Sequence, residues 1–400
     1  MAEMKRSSEM GEWRLRPLGA LTENFDSVRV PVKGADRCAG PYPYYGASGV
    51  VDYVDKYLFD GEYLLIAEDG ENLRTRNTPI AFLAKEKFWV NNHAHIVRGN
   101  SEADTRFLMY ALSTTDVSGF LTGSTMPKLT QGNMNRIPIL TPPLPEQHAI
   151  AHILGTLDDK IELNRRMNET LEAMTRALFK SWFVDFEPVR AKAEGRDIGL
   201  PKEIADLFPD SFEDSELGEV PKGWQVGRLD DVLVLLRGFD LPATQRVDGQ
   251  FSVVAASGPS GTHNEYMVKG PGVTTGRSGV LGKVFYVHDD FWPLNTSLWV
   301  KEFRHSKPAY AFYSLQGLDF GIFNAGSAVP TLNRNHVHNL PTLMPPLALI
   351  DRFEAIAVSL LRRQKLNDNE SRTLAAQRDT LLPKLLSGEL RIKDFKNALV

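Results

Sequence analysis

The sequence predicts an α+β chain. Two mixed, strand-rich globular domains are separated by two long antiparallel helices that form a coiled-coil spacer, and the whole is an internal pseudo-two-fold repeat. Three observations carry this. Pro142-Pro143-Leu144 recurs as Pro345-Pro346-Leu347, and the displacement of 203 positions holds without a gap from Gly123/Gly326 to Trp182/Leu385. So long a period, with a helix closing each copy, marks a two-fold duplication rather than a solenoid array. The segment after each Pro-Pro keeps an apolar heptad seam. Ahead of each Pro-Pro, short β-rich runs alternate with turn residues.

The first copy, residues 1–145, opens at Gly11-Glu12-Trp13 and the second, residues 223–347, at Gly223-Trp224; the same opening strand is used twice. Tyr42 to Gly49 reads as a turn-rich loop, Tyr63–Ala67 and Phe88–Val97 as strands, and Arg106–Leu112 as a short helix. In the second copy Gly272–Thr275 reads as a strand before a tight Gly276-Arg277-Ser278-Gly279 turn, and Ala309–Leu315 as the short helix. Each copy closes on a Pro-interrupted edge strand, Ile137–Leu140 and Leu340–Leu343, after Gly123-Ser124 and Gly326-Ser327.

Helices follow over 146–183 and 348–388. In the first, Ile150, Leu157, Asn164, Leu171 and Leu178 recur at sevens, with Leu154, Ile161 and Trp182 four residues on. In the second, Leu360, Asn367, Leu374 and Leu381 hold the seam, while Ala357, Gln364, Ser371 and Arg378 make a weaker companion set. About 33 residues of helix is roughly 50 Å at 1.5 Å per residue. Neither stripe can face water alone, so the two helices are expected to pack on each other. Asn164 and Asn367 occupy equivalent seam positions, either fixing register or standing as tolerated amides. Residues 184–222 read as a surface linker and 389–400 as a tail.

Composition, at 42% apolar and 24% charged, is that of a globular protein. A net charge of -4 announces no nucleic-acid binder, so a DNA-binding face would have to be a local basic patch. The lone Cys38 excludes an intrachain disulfide, and no run of 18 apolar residues occurs. The expectation is a cytoplasmic protein with no membrane contact.

No catalytic constellation emerges. Around Gly282-Lys283 the phosphate-loop spacing fails, with Arg277 where Gly is needed and Val284 where Ser or Thr is needed. Pro209-Asp210 and Glu213 hint at a nuclease carboxylate set, but Ser215 stands where Lys is required. Cys38 has no neighbouring His. The pairs His93/His95 and His336/His338 could ligate a metal from one face of a strand, yet they do not correspond under the duplication and no further ligand follows, so no metal is expected. Two similar domains with divergent loops and no active site point to a bipartite ruler.

Several phrases carry a resemblance. Pro142-Pro143-Leu144-Pro145-Glu146-Gln147 precedes the first helix, which closes on Leu178-Phe179-Lys180-Ser181-Trp182-Phe183-Val184-Asp185-Phe186. Pro221-Lys222-Gly223-Trp224 opens the second copy, and Leu382-Pro383-Lys384-Leu385-Leu386-Ser387-Gly388-Glu389-Leu390 closes it. Together they resemble the specificity subunit of type I restriction–modification systems over nearly the whole chain. One departure is Leu349-Ile350 where Glu146-Gln147 stand in the first copy. The resemblance implies a non-catalytic DNA-binding subunit whose two target-recognition domains each read half of a bipartite double-stranded target. Its helices would set the gap and dock two methyltransferase (modification) subunits. Two restriction (translocase/nuclease) subunits would complete the complex. It binds no cofactor directly: S-adenosylmethionine would belong to the modification subunits, and ATP with Mg²⁺ to the restriction subunits.

Base readout needs Arg, Lys, Asn and Gln on loops. The candidates in the first domain are Lys33, Arg37, Tyr42, Tyr44, Arg74, Arg76, Asn91, Asn92 and Lys128. In the second they are Arg237, Arg246, Arg277, Ser278, Lys283, Asn295 and Arg334, with Arg277 foremost between its glycines. Met167, Met174, Phe179 and Phe183 lie beyond the seam and are candidates for partner docking, unless the globular domains cover them. The competing reading is a two-headed scaffold of the same architecture for protein or sugar ligands.

Overall fold

The computed structural model describes residues 13–320 and 331–392. The Gly11-Glu12 opening, Gly326 to Pro330 and the end of the tail lie outside them. The chain divides into two compact units, residues 1–164 with 369–400, and residues 165–368.

The first unit begins with β1 (Arg14–Pro17), β2 (Thr22–Asn24), β3 (Ala39–Gly46) and β4 (Gly49–Val54). It continues through β5 (Phe59–Asp60), β6 (Tyr63–Ala67), β7 (Ala81–Ala84), β8 (Lys87–Val90) and β9 (Ala94–Gly99) to helix α1 (Thr105–Thr114) and β10 (Pro138–Thr141). Two four-stranded sheets form, in the orders β2-β9-β6-β7 and β4-β3-β8-β5, while β1 pairs with β10. The stretch Tyr42 to Gly49 is therefore not a loop but the greater part of β3 and the tight turn into β4. Its alternating aromatic residues suit a half-buried strand better than a turn. Phe88–Val97 is two strands broken at Asn91 to His93, where Asn91 Oδ1 accepts from the His93 backbone N–H at 2.8 Å.

Helix α2 (Leu144–Phe183) follows, and its residues to Asn164 belong to this unit. It has 40 residues, more than expected, because Pro145 lies in its first turn, where a missing N–H costs nothing. Ile150, Ala151 and Leu154 are buried with Leu385 and Leu386, so the end of the second long helix packs here. Arg378 pairs with Asp158 at 2.6 Å, and Asn164 Nδ2 donates to Glu370 and Ser371 at 2.8 and 3.3 Å. The two helix segments are thus antiparallel within the unit. Gln147 stitches α2 to its domain, accepting from Asp104 N–H and donating to the Glu102 and Pro142 carbonyls.

The second unit repeats the plan. Helix α3 (Glu187–Ala193) and the hairpin β11 (Phe212–Ser215) to β12 (Gly218–Pro221) come first. The domain proper runs from β13 (Gln225–Arg228) through β14 (Leu233–Arg237), β15 (Phe251–Ala255) and β16 (Gly258–His263). Then follow β17 (Gly272–Gly276), β18 (Val284–Val287), β19 (Phe291–Pro293), β20 (Ser297–Phe303), helix α4 (Pro308–Gln316), β21 (Pro341–Met344) and helix α5 (Leu347–Leu386). Sheet β14-β20-β17-β18 copies β2-β9-β6-β7. Sheet β16-β15-β19 copies β4-β3-β8, down to one parallel pair in each. β13 pairs with β21 as β1 does with β10.

Residues 184–222 are not a mere surface linker. Val189, Phe208 and Val220 are buried, the first two in the same core as Trp224, because a segment carrying these side chains can shed them from water only by packing inward. Phe183 is also a core residue and Phe179 a partly buried ring packed against that core, rather than docking residues. Phe183 is 9% exposed and both rings pack on Tyr310 and Phe353. Where Glu146-Gln147 make polar bonds in the first unit, Leu349 and Ile350 are buried in the second. Glu354 instead accepts from the Ala309 and Tyr310 N–H groups at the start of α4, 3.0 Å each.

The seam is more polar than its heptads imply. Asn164 and Asn367 are both buried, and Asn367 Nδ2 donates to Asn168 Oδ1 at 2.8 Å. The weak companion set supplies partners: Gln364 bonds the Asn168 backbone, Ser371 meets Asn164 and Arg378 meets Asp158. Leu361, not Leu360, takes the buried position on α5, and Thr175 is a buried seam residue between Leu171 and Leu178. Leu157, Ile161, Leu374 and Leu381 are half-buried.

Candidate nucleic-acid interface

The loops that carry the candidate residues are fixed by backbone bonds first. In the second domain β17 ends at Gly276, where an added Cβ would meet the Val280 carbonyl at 1.8 Å, so only glycine fits. Arg277 and Ser278 then both donate their N–H to the Thr296 carbonyl, at 2.8 and 3.1 Å, and Leu332 N–H donates to the Arg277 carbonyl at 2.8 Å. This crossing puts the Arg277 guanidinium 3.5 Å from the Asn295 carbonyl. The Asn295 amide donates to the Asp240 carboxylate, and Arg237 lies 3.9 Å from that carboxylate. Four of the second domain's candidates, Arg237, Arg277, Ser278 and Asn295, are thereby brought together. Asp240, which holds Asn295 and faces Arg237, carries no local signal in the sequence.

Arg246 is elsewhere, donating to the Ser260 carbonyl on the β15–β16 hairpin at 2.8 Å. Lys283 is exposed on the loop before β18, and Arg334 is exposed at the start of the short helix Arg334–His338. That helix also removes the strand reading of His336/His338; His338 Nε2 accepts from Leu235 N–H at 2.9 Å.

The first domain corrects more expectations. Tyr44 is a core ring, fully buried with its hydroxyl on the Val32 backbone, so it cannot reach a base. Asn91 is buried, its side chain fixing the β8–β9 turn. Arg76 has a left-handed backbone and donates to the Ser113 and Thr115 carbonyls, the orphan acceptors at the end of α1. Arg74 binds the Gly123 and Ser124 carbonyls, and Arg37 lies over the Tyr44 ring at 4.3 Å while donating to Val32 O and Asp52. Tyr42 packs edge-on against Tyr57. Lys33 and Asn92 are exposed, and Lys128 is exposed with its ammonium 3.2 Å from Glu68.

Beneath Lys128 lies a charged network that sequence reading did not assemble. His95 donates from Nδ1 to Asp26 at 2.6 Å and from Nε2 to the Leu129 carbonyl at 2.8 Å. Both partners are acceptors, so both ring nitrogens carry protons. Burial works against that charge, but the Asp26 hydrogen bond, the Leu129 carbonyl and the charges of Asp26 and Glu68 outweigh it and raise the His95 pKa. Burial likewise opposes the charged forms of Asp26 and Glu68, yet bonds to His95 and to Arg29 hold both carboxyls below their usual range.

Because the folded value exceeds the ordinary 6.5, the His95 contribution is complete below that pH and is lost as pH rises through the folded value. Thermal unfolding of the first domain is therefore expected at lower temperature as pH is raised from 6.5 toward that value. His95→Gln should flatten the slope, whereas an unchanged slope would contradict the assignment. Among the described residues no group of three or more His, Cys, Asp or Glu could hold a metal ion. None of the described helices is long and apolar enough to cross a membrane.

Comparison with known proteins agrees with this architecture. A family model described as the type I restriction modification DNA specificity domain matches residues 10–173 and 221–358. The type I restriction enzyme MjaIX specificity subunit of Methanocaldococcus jannaschii is 25% identical, over 96% of this chain and 95% of its own length. A Haemophilus influenzae protein named for the same role is 41% identical over 146 residues, which is 36% of this chain and 37% of that protein. The crystal structure of the S subunit of a type I restriction-modification system from M. genitalium shares the fold, with a TM-score of 0.67 at 17% identity, covering 93% of this chain and 96% of that one. With two matched segments that together span most of its length, the chain belongs to the family of type I restriction modification DNA specificity domains.

Proposed function

We propose that this chain is the specificity subunit of a type I restriction–modification complex and that each globular domain reads one half of a bipartite DNA target. The observation that carries the reading is the repeated backbone junction: the same strands and the same crossing loops recur in both matched segments, holding different side chains. A repeated frame with exchanged side chains is what two readers of different half-sites require. The long helices set the unspecified gap between the halves.

Exposed apolar residues on the helices support docking of two modification subunits. Leu163 and Leu366, equivalent under the duplication, are 52% and 59% exposed, and Met174 is 54% exposed. Met167 is only half-buried and remains a lesser candidate. Methylation and cleavage reside in the partner subunits, with S-adenosylmethionine bound by the modification subunits and ATP with Mg²⁺ by two restriction subunits. The complex works in the cytoplasm.

Arg277 tests the reading. A guanidinium on a rigid turn matches guanine O6 and N7, a contact worth roughly 1–3 kcal/mol of discrimination. Arg277→Ala, assembled with its modification subunits, is expected to lose selectivity at one position of one half-site and keep the other half. Unchanged selectivity in both halves would exclude Arg277 from the interface.

A further inference from the structure

The crossing described at Arg277 exists in both domains, with two of its backbone bonds repeated. In the first domain Glu68 N–H donates to the His93 carbonyl at 2.9 Å and Leu129 N–H donates to the Glu68 carbonyl at 2.7 Å. Shifting His93 and Leu129 by 203 gives Thr296 and Leu332, the two partners of Arg277. A bridge pairs Asp69 with Lys128 in one domain and Ser278 with Thr331 in the other. Glu68 is thus the counterpart of Arg277, Asp69 of Ser278, His93 of Thr296 and Asn92 of Asn295.

The counterparts differ in chemistry. Glu68 points no charge outward: Arg29 and Lys128 hold its carboxylate at 2.8 and 3.2 Å, and its side chain is 14% exposed. What the junction does present is His93, 53% exposed, with Nδ1 at 2.8 and 3.1 Å from the two Asp69 carboxylate oxygens. The His93 backbone is itself pinned by Asn91. A carboxylate only accepts, so Nδ1 carries the proton, and in the neutral form of the ring Nε2 is an acceptor on an oriented, solvent-facing side chain.

We infer that the Asp69–His93 pair is the base-reading head of the first domain, with His93 accepting a hydrogen bond from the exocyclic amino group of an adenine or cytosine. Asp69 is the positioning residue that fixes the ring and its tautomer. The two domains then read with opposite polarity at one shared place in the fold, an acceptor in the first and the Arg277 donor in the second. This rests on the proposed DNA-reading function.

The test uses the full chain assembled with its modification subunits and a pool of randomised DNA duplexes. The wild type is expected to select two specified blocks. His93→Ala should collapse a preference of roughly tenfold at one position of one block, the block that Arg277→Ala leaves intact. Asp69→Asn should relax that same position while leaving the melting temperature unchanged, which separates positioning from a structural role. If His93→Ala leaves every position unchanged, or acts on the block that Arg277→Ala alters, the inference is overturned while the two-block function stands. If the wild type selects no motif, the function falls and the inference falls with it.

Discussion

Trp182→Ala should destabilise the second unit by about 3–5 kcal/mol, the range for removing a large aromatic ring from a close-packed core. Trp182 is 1% exposed and meets Phe208 edge-on at 5.4 Å, Phe183 at 6.1 Å and Phe353 at 6.4 Å. Those rings come from the segment after the helix, from α2 itself and from α5. The cavity would therefore open where three parts of the unit join, and none can shift inward without moving the others. Met174→Ala, on an exposed position of the same helix, is the control and should change stability by less than about 0.5 kcal/mol. Urea unfolding followed by circular dichroism measures both. A loss below about 1 kcal/mol for Trp182→Ala would mean that the core relaxes around the missing ring.

One additional heptad in each long helix, after Arg166 and after Asn369, is expected to lengthen the recognised gap by about three base pairs. Seven residues add roughly 10 Å of helix, and duplex DNA rises about 3.4 Å per base pair. Seven residues are close to two full turns, so both seams keep their face and the insertion alters length with little rotation. The half-site sequences should not change, because no loop residue is touched. A gap that stays the same after the insertion would refute the helices as its determinant.

The duplication, the paired opening and closing strands and the two long helices were legible because each is written in local periodicity and in Pro-Pro boundaries. Asn164 and Asn367 were visible as polar seam positions, but their partners were not. Ser371 and Gln364 read as weak heptad residues until the antiparallel packing gives them amides to bond. Phe179 and Phe183 looked surplus because a two-helix contact cannot bury them. Sequence alone does not show that Tyr310 and Phe353 lie against them.

The reading site was hidden by loop length. Glu68 to Ile80 joins β6 to β7, whereas the shorter Arg277 to Lys283 joins β17 to β18. The constant displacement therefore breaks there, and only the backbone bonds to His93 and Thr296 align Glu68 with Arg277. Tyr44 and Asn91 carry chemistry that could contact DNA, but the β3–β4 hairpin buries the first and the β8–β9 turn holds the second inward.

Two domains that each specify half of one DNA target, across a gap set by the helices, leave a defined methylation pattern. Methylation-sensitive sequencing of DNA modified by the assembled complex reads that pattern. The predicted result is a single motif of two specified blocks separated by a fixed stretch of unspecified bases. A continuous motif, or methylation independent of sequence, would contradict it.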